Sequence, residues 1–223
     1  MKKLAQLILC ITAIYTLASL VSCNNNEGPD DGTIIYYADI VSCHFLPDST
    51  LYFEQIKRDD AGSVMLYPNP AVQARAYDGQ RILLQYYINE QMPDSNYSIT
   101  ALQLVPVRHD TIIEAHPDTI AAYPNHPMRV NTTWRTGNYF NMEIQLEYYN
   151  LPHRLDLFYT SAQQTGDTID VVLRHDRAGD AVGYWTNAYA SFYIPNLNTY
   201  KAIRVYANIA GATSDNFVVK LKD

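Results

Sequence analysis

The chain has 223 residues, 48% of them apolar, and a formal net charge of −7. The apolar content supplies a core, while the acidic balance argues against nucleic acid and against electrostatic docking on anionic lipid. Two of the three cysteines lie within the first 23 residues, so no internal disulfide framework is expected and Cys43 reads as a small buried apolar residue.

Lys2 and Lys3 precede a Leu-, Ile- and Ala-rich run over 4–20. That run is shorter than a comfortable transmembrane helix and no basic flank follows it, so residues 1–22 read as a secretory signal peptide. It ends in Leu20-Val21-Ser22-Cys23, which has the form of a lipobox: apolar, small, small, then the cysteine that becomes the mature N-terminus. Each buried CH₂ of an acyl chain adds roughly 0.8 kcal/mol, so a multiply acylated Cys23 holds firmly to a membrane. Residues 23–32 are polar, have nothing to bury, and form a flexible tether. Asn24 stands where an Asp would signal inner-membrane retention in Gram-negative sorting. Glu27, Asp30 and Asp31 resemble the acidic export signal of surface lipoproteins in Bacteroidota. Both features imply a lipid anchor in the outer membrane, with the cell surface favoured over the periplasmic face. Loss of Lys2 and Lys3 with the signal takes the formal charge from −7 to −9.

Beyond the tether the pattern is short alternating runs broken by Gly, Pro, Asn and Asp, which predicts an all-β chain. Strands are expected over 33–45, 51–56, 63–67, 81–88 and 97–107. Turns fall at Pro47-Asp48, over 57–62, at Pro68-Asn69-Pro70, at Tyr77-Asp78-Gly79-Gln80 and at Pro93-Asp94-Ser95-Asn96. Five strands over 33–107 suit a small OB-like β-barrel, whose closure removes sheet edges.

Residues 108–127 read as a linker between domains, with Pro117, Pro124 and Pro127 and three of the six histidines. His109-Asp110-Thr111-Ile112 is echoed by Pro117-Asp118-Thr119-Ile120, expected as two turns that each lead into a short strand. His109, His116 and His126 match no metal-ligand spacing and are expected to be solvated.

In 128–223, strands are expected over 128–134, 139–149, 154–160, 168–174, 189–194, 202–209 and 216–221. Their number and the frequent turns predict an antiparallel β-sandwich.

Here the chain resembles a known family. Trp134-Arg135-Thr136-Gly137-Asn138-Tyr139-Phe140-Asn141, His153-Arg154-Leu155-Asp156-Leu157, Leu173-Arg174-His175-Asp176 with Gly179-Asp180, and Ser191-Phe192 follow one another as in the C-terminal half of NigD-like lipoproteins. Asp78-Gly79-Gln80-Arg81-Ile82-Leu83 looks like the turn and strand of that family's first half. The resemblance implies an N-terminal OB-like domain and a C-terminal β-sandwich. It supplies no catalytic residues.

Arg174-His175-Asp176 is the most polar triplet in a strand. Side chains alternate, so Arg174 and Asp176 point one way, free to pair, and His175 points the other, toward His153 or a backbone carbonyl. His153, Arg174, His175, Asp176 and Asp180 are read as a polar network that fixes a loop. The alternative is a hydrolase or metal-dependent enzyme centred on His153 and His175, but no nucleophile or zinc spacing accompanies them. Ser49, Thr111, Thr119 and Thr168 each follow an Asp and resemble Bacteroidota O-glycosylation sites; the same dipeptide is also good turn chemistry. Tyrosine is abundant, at 19 residues, and suits either strand packing or stacking on a glycan.

The sequence therefore predicts a non-enzymatic lipoprotein that presents two β-domains for binding or scaffolding. Its expected partners are the membrane, through Cys23, and an outer-membrane protein or a glycan, with no cofactor, no metal and no nucleic acid.

Overall fold

The computed structural model describes residues 34–57, 62–72, 76–164 and 166–221, apart from the Gln163 side chain. The expected signal peptide, Cys23 and the tether lie outside these residues.

The first five strands are β1 (Tyr36–Phe45), β2 (Leu51–Ile56), β3 (Ser63–Pro68), β4 (Arg81–Gln91) and β5 (Tyr97–Pro106). They close in the order β1-β2-β3-β5-β4, with β4 back against β1. β3 and β5 run parallel and the other pairs antiparallel, which is the connectivity of an OB barrel. Alternate residues fill the interior: Val41 and Cys43, Leu51 and Phe53, Val64 and Leu66, then Ile82, Leu84 and Tyr86. Cys43 is a free, buried thiol, and burial pushes its pKa up to about 11. Gly79 turns the chain into β4 with φ +81°, and its N–H donates to the Cys43 carbonyl at 2.7 Å.

Two barrel strands do not alternate. Residues 40–43 of β1 and 81–84 of β4 are buried without a break. Such runs mark strands covered on both faces. Val41, Cys43, Ile82 and Leu84 point into the barrel. Ile40 and Leu83 point out of it and pack with Val107, Val105, Trp134 and Tyr189.

The cover is a β-sandwich. Its strands are β6 (Arg108–Thr111), β7 (Ile113–Glu114), β8 (Arg129–Thr136), β9 (Tyr139–Tyr148), β10 (Arg154–Tyr159), β11 (Thr168–Asp176), β12 (Tyr184–Tyr193), β13 (Ala202–Tyr206) and β14 (Asn216–Lys220). One sheet has the order β14-β13-β11-β10-β7 and the other β6-β12-β9-β8. Phe140, Met142, Ile144, Phe192, Leu157, Val171, Leu173 and Val205 fill the space between them. Each such side chain, fully buried, contributes about 1.5–3 kcal/mol.

The sheets are mixed rather than purely antiparallel: β6 runs parallel to β12, β7 to β10, and β11 to β13. Between β11 and β13 the chain visits β12 in the other sheet, so it re-enters running the same way.

The expected linker is part of the sandwich. β6 and β7 are edge strands of opposite sheets, and between them Ile112 drops into the core. The second copy of the echo is not a strand but the start of helix α1 (Pro117–Ala122). His116 caps it by accepting from the Asp118 N–H at 3.3 Å, and Pro117 opens its first turn, where no N–H is needed. Ile120 is buried, and Tyr123 packs edge-on against Phe158 with ring centroids 5.2 Å apart. Barrel and sandwich together form one compact unit, Ile35–Asp223.

Arg81 closes the seam between them. It is fully buried at the start of β4. Its Nε donates to Ser191 Oγ at 3.3 Å, Nη1 to Ser42 Oγ at 3.1 Å, and Nη2 to the Ile40 carbonyl at 3.2 Å and Asn141 Oδ1 at 3.4 Å. Its guanidinium lies over the Tyr139 ring, 4.2 Å from the centroid. Burial lowers its pKa to about 10, against the opposing pull of Tyr139 and Glu54, so the group stays charged at neutral pH. Arg81→Met removes these bonds at once, and the expected loss is roughly 3 kcal/mol of unfolding free energy. Arg81→Lys is expected to recover little, because an ammonium cannot span barrel and sandwich acceptors as a planar fork does. Urea unfolding measures both, and an Arg81→Met protein as stable as the parent would remove Arg81 from this role.

Candidate functional site

His153 stands just before β10, His175 near the end of β11, and Asp180 in the loop that follows. The loop turns through Ala178 (φ 51°) and Gly179 (φ 87°) and is closed by the Asp180 N–H donating to the Arg177 carbonyl at 2.9 Å. It carries Asp180 back to the segment after β9. There Asp180 Oδ2 accepts from the Tyr149 N–H at 2.8 Å and Oδ1 from the Asn150 N–H at 3.2 Å. Oδ2 also lies 3.1 Å from His153 Nε2. On the far side of that ring, His153 Nδ1 meets His175 Nε2 at 2.8 Å. His175 Nδ1 then sits 3.3 Å from the carbonyl oxygens of both His126 and Pro127.

The order of acceptors assigns the protons. Carbonyl oxygens only accept, so His175 Nδ1 carries a proton. One proton lies between His175 Nε2 and His153 Nδ1. Burial raises the Asp180 pKa, but the backbone N–H groups of Tyr149 and Asn150, then His153, outweigh it and bring the value to about 2. Asp180 is thus a carboxylate, and His153 Nε2 must donate to it. The three contacts need three protons on two rings, one more than two neutral imidazoles carry, so the His153–His175 pair faces the Asp180 carboxylate with one positive charge when all of them are made. Burial, and next the nearby His153, push the His175 pKa down to about 4, against the pull of the two carbonyls.

Of the residues singled out in sequence, the structure brings these three together. Arg174 and Asp176 lie on the other face of β11. Asp176 Oδ1 accepts from the Ala178 N–H at 2.8 Å, and Arg174 forms no ion pair among the described residues. Its Nε is buried without a partner. Asp156, opposite Arg174 in register, is taken by the Tyr123 hydroxyl. His126, expected to be solvated, is half-buried, and its Nδ1 accepts from the Arg177 N–H at 3.2 Å. His109 is half-buried too, with Nε2 held by the Tyr77 hydroxyl at 3.0 Å.

The arrangement suits structure better than chemistry. The side chains of His153 and Asp180 are 3% and 0% exposed, which leaves no path for a substrate. Two nitrogens on one zinc would stand about 3.3 Å apart, farther than the 2.8 Å between these rings. Among the described residues no cluster of His, Cys, Asp and Glu is placed to hold a metal ion.

Open space lies elsewhere, at the seam. One cleft of about 500 Å³ is lined by Tyr77, His109, Asp110, Thr111, Tyr139 and Tyr193. Another of about 460 Å³ has Asp39, Gln55, Lys57 and Trp134 among its lining. Sequence reasoning missed both clefts and Arg81. A cation at the head of the apolar run Ile82-Leu83-Leu84 was the available signal. The expected glycosylation residues are spread out: Ser49 is exposed in the turn after β1 with φ 67°, Thr111 is exposed at the end of β6, Thr119 is exposed in α1, and Thr168 is half-buried at the start of β11.

Residues 111–215 match the NigD-like C-terminal beta sandwich domain. The second half of the chain is thus similar to the C-terminal domain of NigD-like proteins. The match begins inside the expected linker, in accord with its two edge strands. Solved structures share the fold of this chain. A protein of unknown function from Bacteroides vulgatus aligns over 83% of this chain and 90% of its own with TM-score 0.68 at 18% identity. A NigD-like immunity protein from Bacteroides caccae aligns over 82% and 91% with TM-score 0.60 at 15% identity. A candidate lipoprotein from Bacteroides fragilis aligns over 84% and 99% with TM-score 0.60 at 12% identity. No curated protein matches the sequence.

The polar chain sets a pH dependence. His175 has a folded pKa near 4 against an ordinary value of 6.5, so the unfolded chain binds its proton first. Its contribution is complete above pH 6.5 and is lost as pH falls toward 4, a difference of roughly 3 kcal/mol. Asp180 adds a second loss as pH falls from 3.8 toward 2. Urea midpoints between pH 7 and 4 are expected to fall for the parent and to flatten for His175→Gln; parallel curves would contradict the assignment. A backbone contact tests the same region. A Cβ on Gly183 would lie 2.1 Å from the Tyr148 carbonyl oxygen and 2.9 Å from the Tyr149 nitrogen, the donor to Asp180. Gly183→Ala is expected to cost at least about 2 kcal/mol, read by thermal unfolding.

Proposed function

We propose that this protein is a non-enzymatic lipoprotein of the outer membrane, anchored through Cys23, whose barrel and sandwich act as one rigid body presenting a binding surface. The observation that carries the reading is the closure of the Asp180–His153–His175 chain. The best-formed acid-base cluster in the molecule spends its hydrogen bonds internally and is buried. A catalytic group must instead reach the atom it acts on. The Arg81 seam supports the rigid part of the reading, since a binding surface made from two elements is preorganised only if the elements do not move. The lipobox and the candidate-lipoprotein neighbour support the anchored part. The acidic residues Glu27, Asp30 and Asp31 of the tether support the surface over the periplasmic face.

Fractionation of the native host tests the anchor and the side it faces. The parent is expected in the outer-membrane fraction and open to protease on intact cells, and Cys23→Ala is expected in the soluble fraction. A soluble parent, or a Cys23→Ala protein that stays in the membrane, overturns the anchored reading. Turnover of ester or glycoside chromogens that is lost in His175→Ala overturns the non-enzymatic one.

A further inference from the structure

The seam cleft beside Arg81 has a floor, a wall and a rim of distinct chemistry. The floor is the outer face of the four-stranded sheet, where Thr111, Tyr193 and Tyr139 stand side by side across β6, β12 and β9. The two tyrosines meet edge to face, with ring centroids 5.3 Å apart. The wall is Tyr77 from the barrel, 60% exposed, its hydroxyl fixed by His109 Nε2 at 3.0 Å. At the rim, Asp110 is exposed and forms no ion pair among the described residues. Its hydrogen bond is local, Oδ1 accepting from the Thr111 N–H at 2.8 Å, and Oδ2 has no partner among the described residues. His109 Nδ1 has no partner among the described residues either.

We propose that this cleft binds a neutral saccharide. A pyranose offers C–H faces to aromatic rings and hydroxyls to a carboxylate, an imidazole and phenols, and tyrosine supplies both kinds of contact. The volume of about 500 Å³ falls within the range of small-molecule sites. The charges choose among ligands that stack on tyrosine. Asp110 and the net charge of −7 disfavour an anion. A quaternary ammonium would seek the same rings, but the Arg81 guanidinium already lies over Tyr139 without a carboxylate against it. That cation weakens the site for a second one. A neutral polyol meets neither penalty.

The inference rests on the reading of the molecule as a binding body and names the ligand class for one of its sites. The test is calorimetric titration of the full lipidated chain in a polyoxyethylene detergent, which carries no sugar. Maltotriose, cellotriose, mannotriose and N-acetylchitotriose are the neutral probes, trigalacturonate the acidic one and choline the cationic one. Saturable binding of at least one neutral trisaccharide is expected, weakened at least about tenfold by Tyr193→Ala and by Asp110→Asn and unchanged by Lys57→Ala in the other cleft. Asp110 is exposed, so its variant remains informative if Tyr193→Ala fails to fold. Absence of neutral binding up to about 10 mM overturns the proposal. So does binding indifferent to Asp110→Asn, or choline or trigalacturonate bound in place of the neutral sugars. None of these outcomes alters where the chain fractionates in the host, so the anchored reading stands or falls separately.

Discussion

A buried guanidinium with no carboxylate beside it sets the terms for the rest of this molecule. Removing a charge from water is expensive unless its hydrogen bonds are replaced. Here the replacement is spread over two hydroxyls, an amide oxygen and a backbone carbonyl, with an aromatic ring on one face. Ser42 and Ile40 belong to the barrel, whereas Ser191, Asn141 and Tyr139 belong to the sandwich. The acceptors are themselves pinned: Ser191 Oγ donates to Asn141 Oδ1 at 2.8 Å, and Asn141 Nδ2 donates to Thr136 Oγ1 at 2.9 Å. Sliding the barrel along the sheet would break several of these bonds together, while the apolar contacts around Leu83 and Val107 would tolerate it. Apolar burial holds the two parts together, and Arg81 decides in which position.

That position creates the clefts. The same sheet column that carries Asn141 and Ser191 carries Tyr139 and Tyr193 one step further along, so the latch and the cleft floor are neighbours by register. A rigid seam therefore fixes the distance from Tyr77 on the barrel side to Tyr139 on the sandwich side. Sites assembled from two elements are only as well defined as the contact between them.

The parts of the fold written in residues of period two were legible in sequence. β3 was expected over 63–67 and spans Ser63–Pro68; β10 was expected over 154–160 and spans Arg154–Tyr159. Where the period fails, so did the expectation. β6 and β7 are too short to alternate, and the prolines and histidines around them have the composition of a connector. The first half of β12, Tyr184-Trp185-Thr186-Asn187, follows Gly183 and exposes most of its surface, so nothing apolar marked it as a strand. His175 could be placed by alternation in β11, and its meeting with His153 followed from neighbouring strands. The proton on its Nδ1 could not, because it depends on the carbonyls of His126 and Pro127, which are 49 and 48 residues away and carry no side-chain signal. Arg81 was hidden for a similar reason: its partners come from three separate strands, β1, β9 and β12.

The two buried charged centres differ in what they hold. Asp180–His153 ties a loop to the segment after β9 inside one sandwich, while Arg81 ties the sandwich to the barrel. The bulk of the burial is apolar and continuous within each core. Replacing buried ionic groups by well-packed apolar ones is often neutral or stabilising in other proteins. Their effect is on uniqueness. The only cysteine among the described residues, Cys43, is a free thiol in the barrel core, so no disulfide there fixes the seam or the loops. Position is then set by groups that lose heavily when displaced, and buried charges with several fixed partners lose the most. The price in desolvation falls at two places where the chain would otherwise have more than one acceptable packing: a sheet face on which a barrel could slide, and a loop that has to return across an open end of the sandwich.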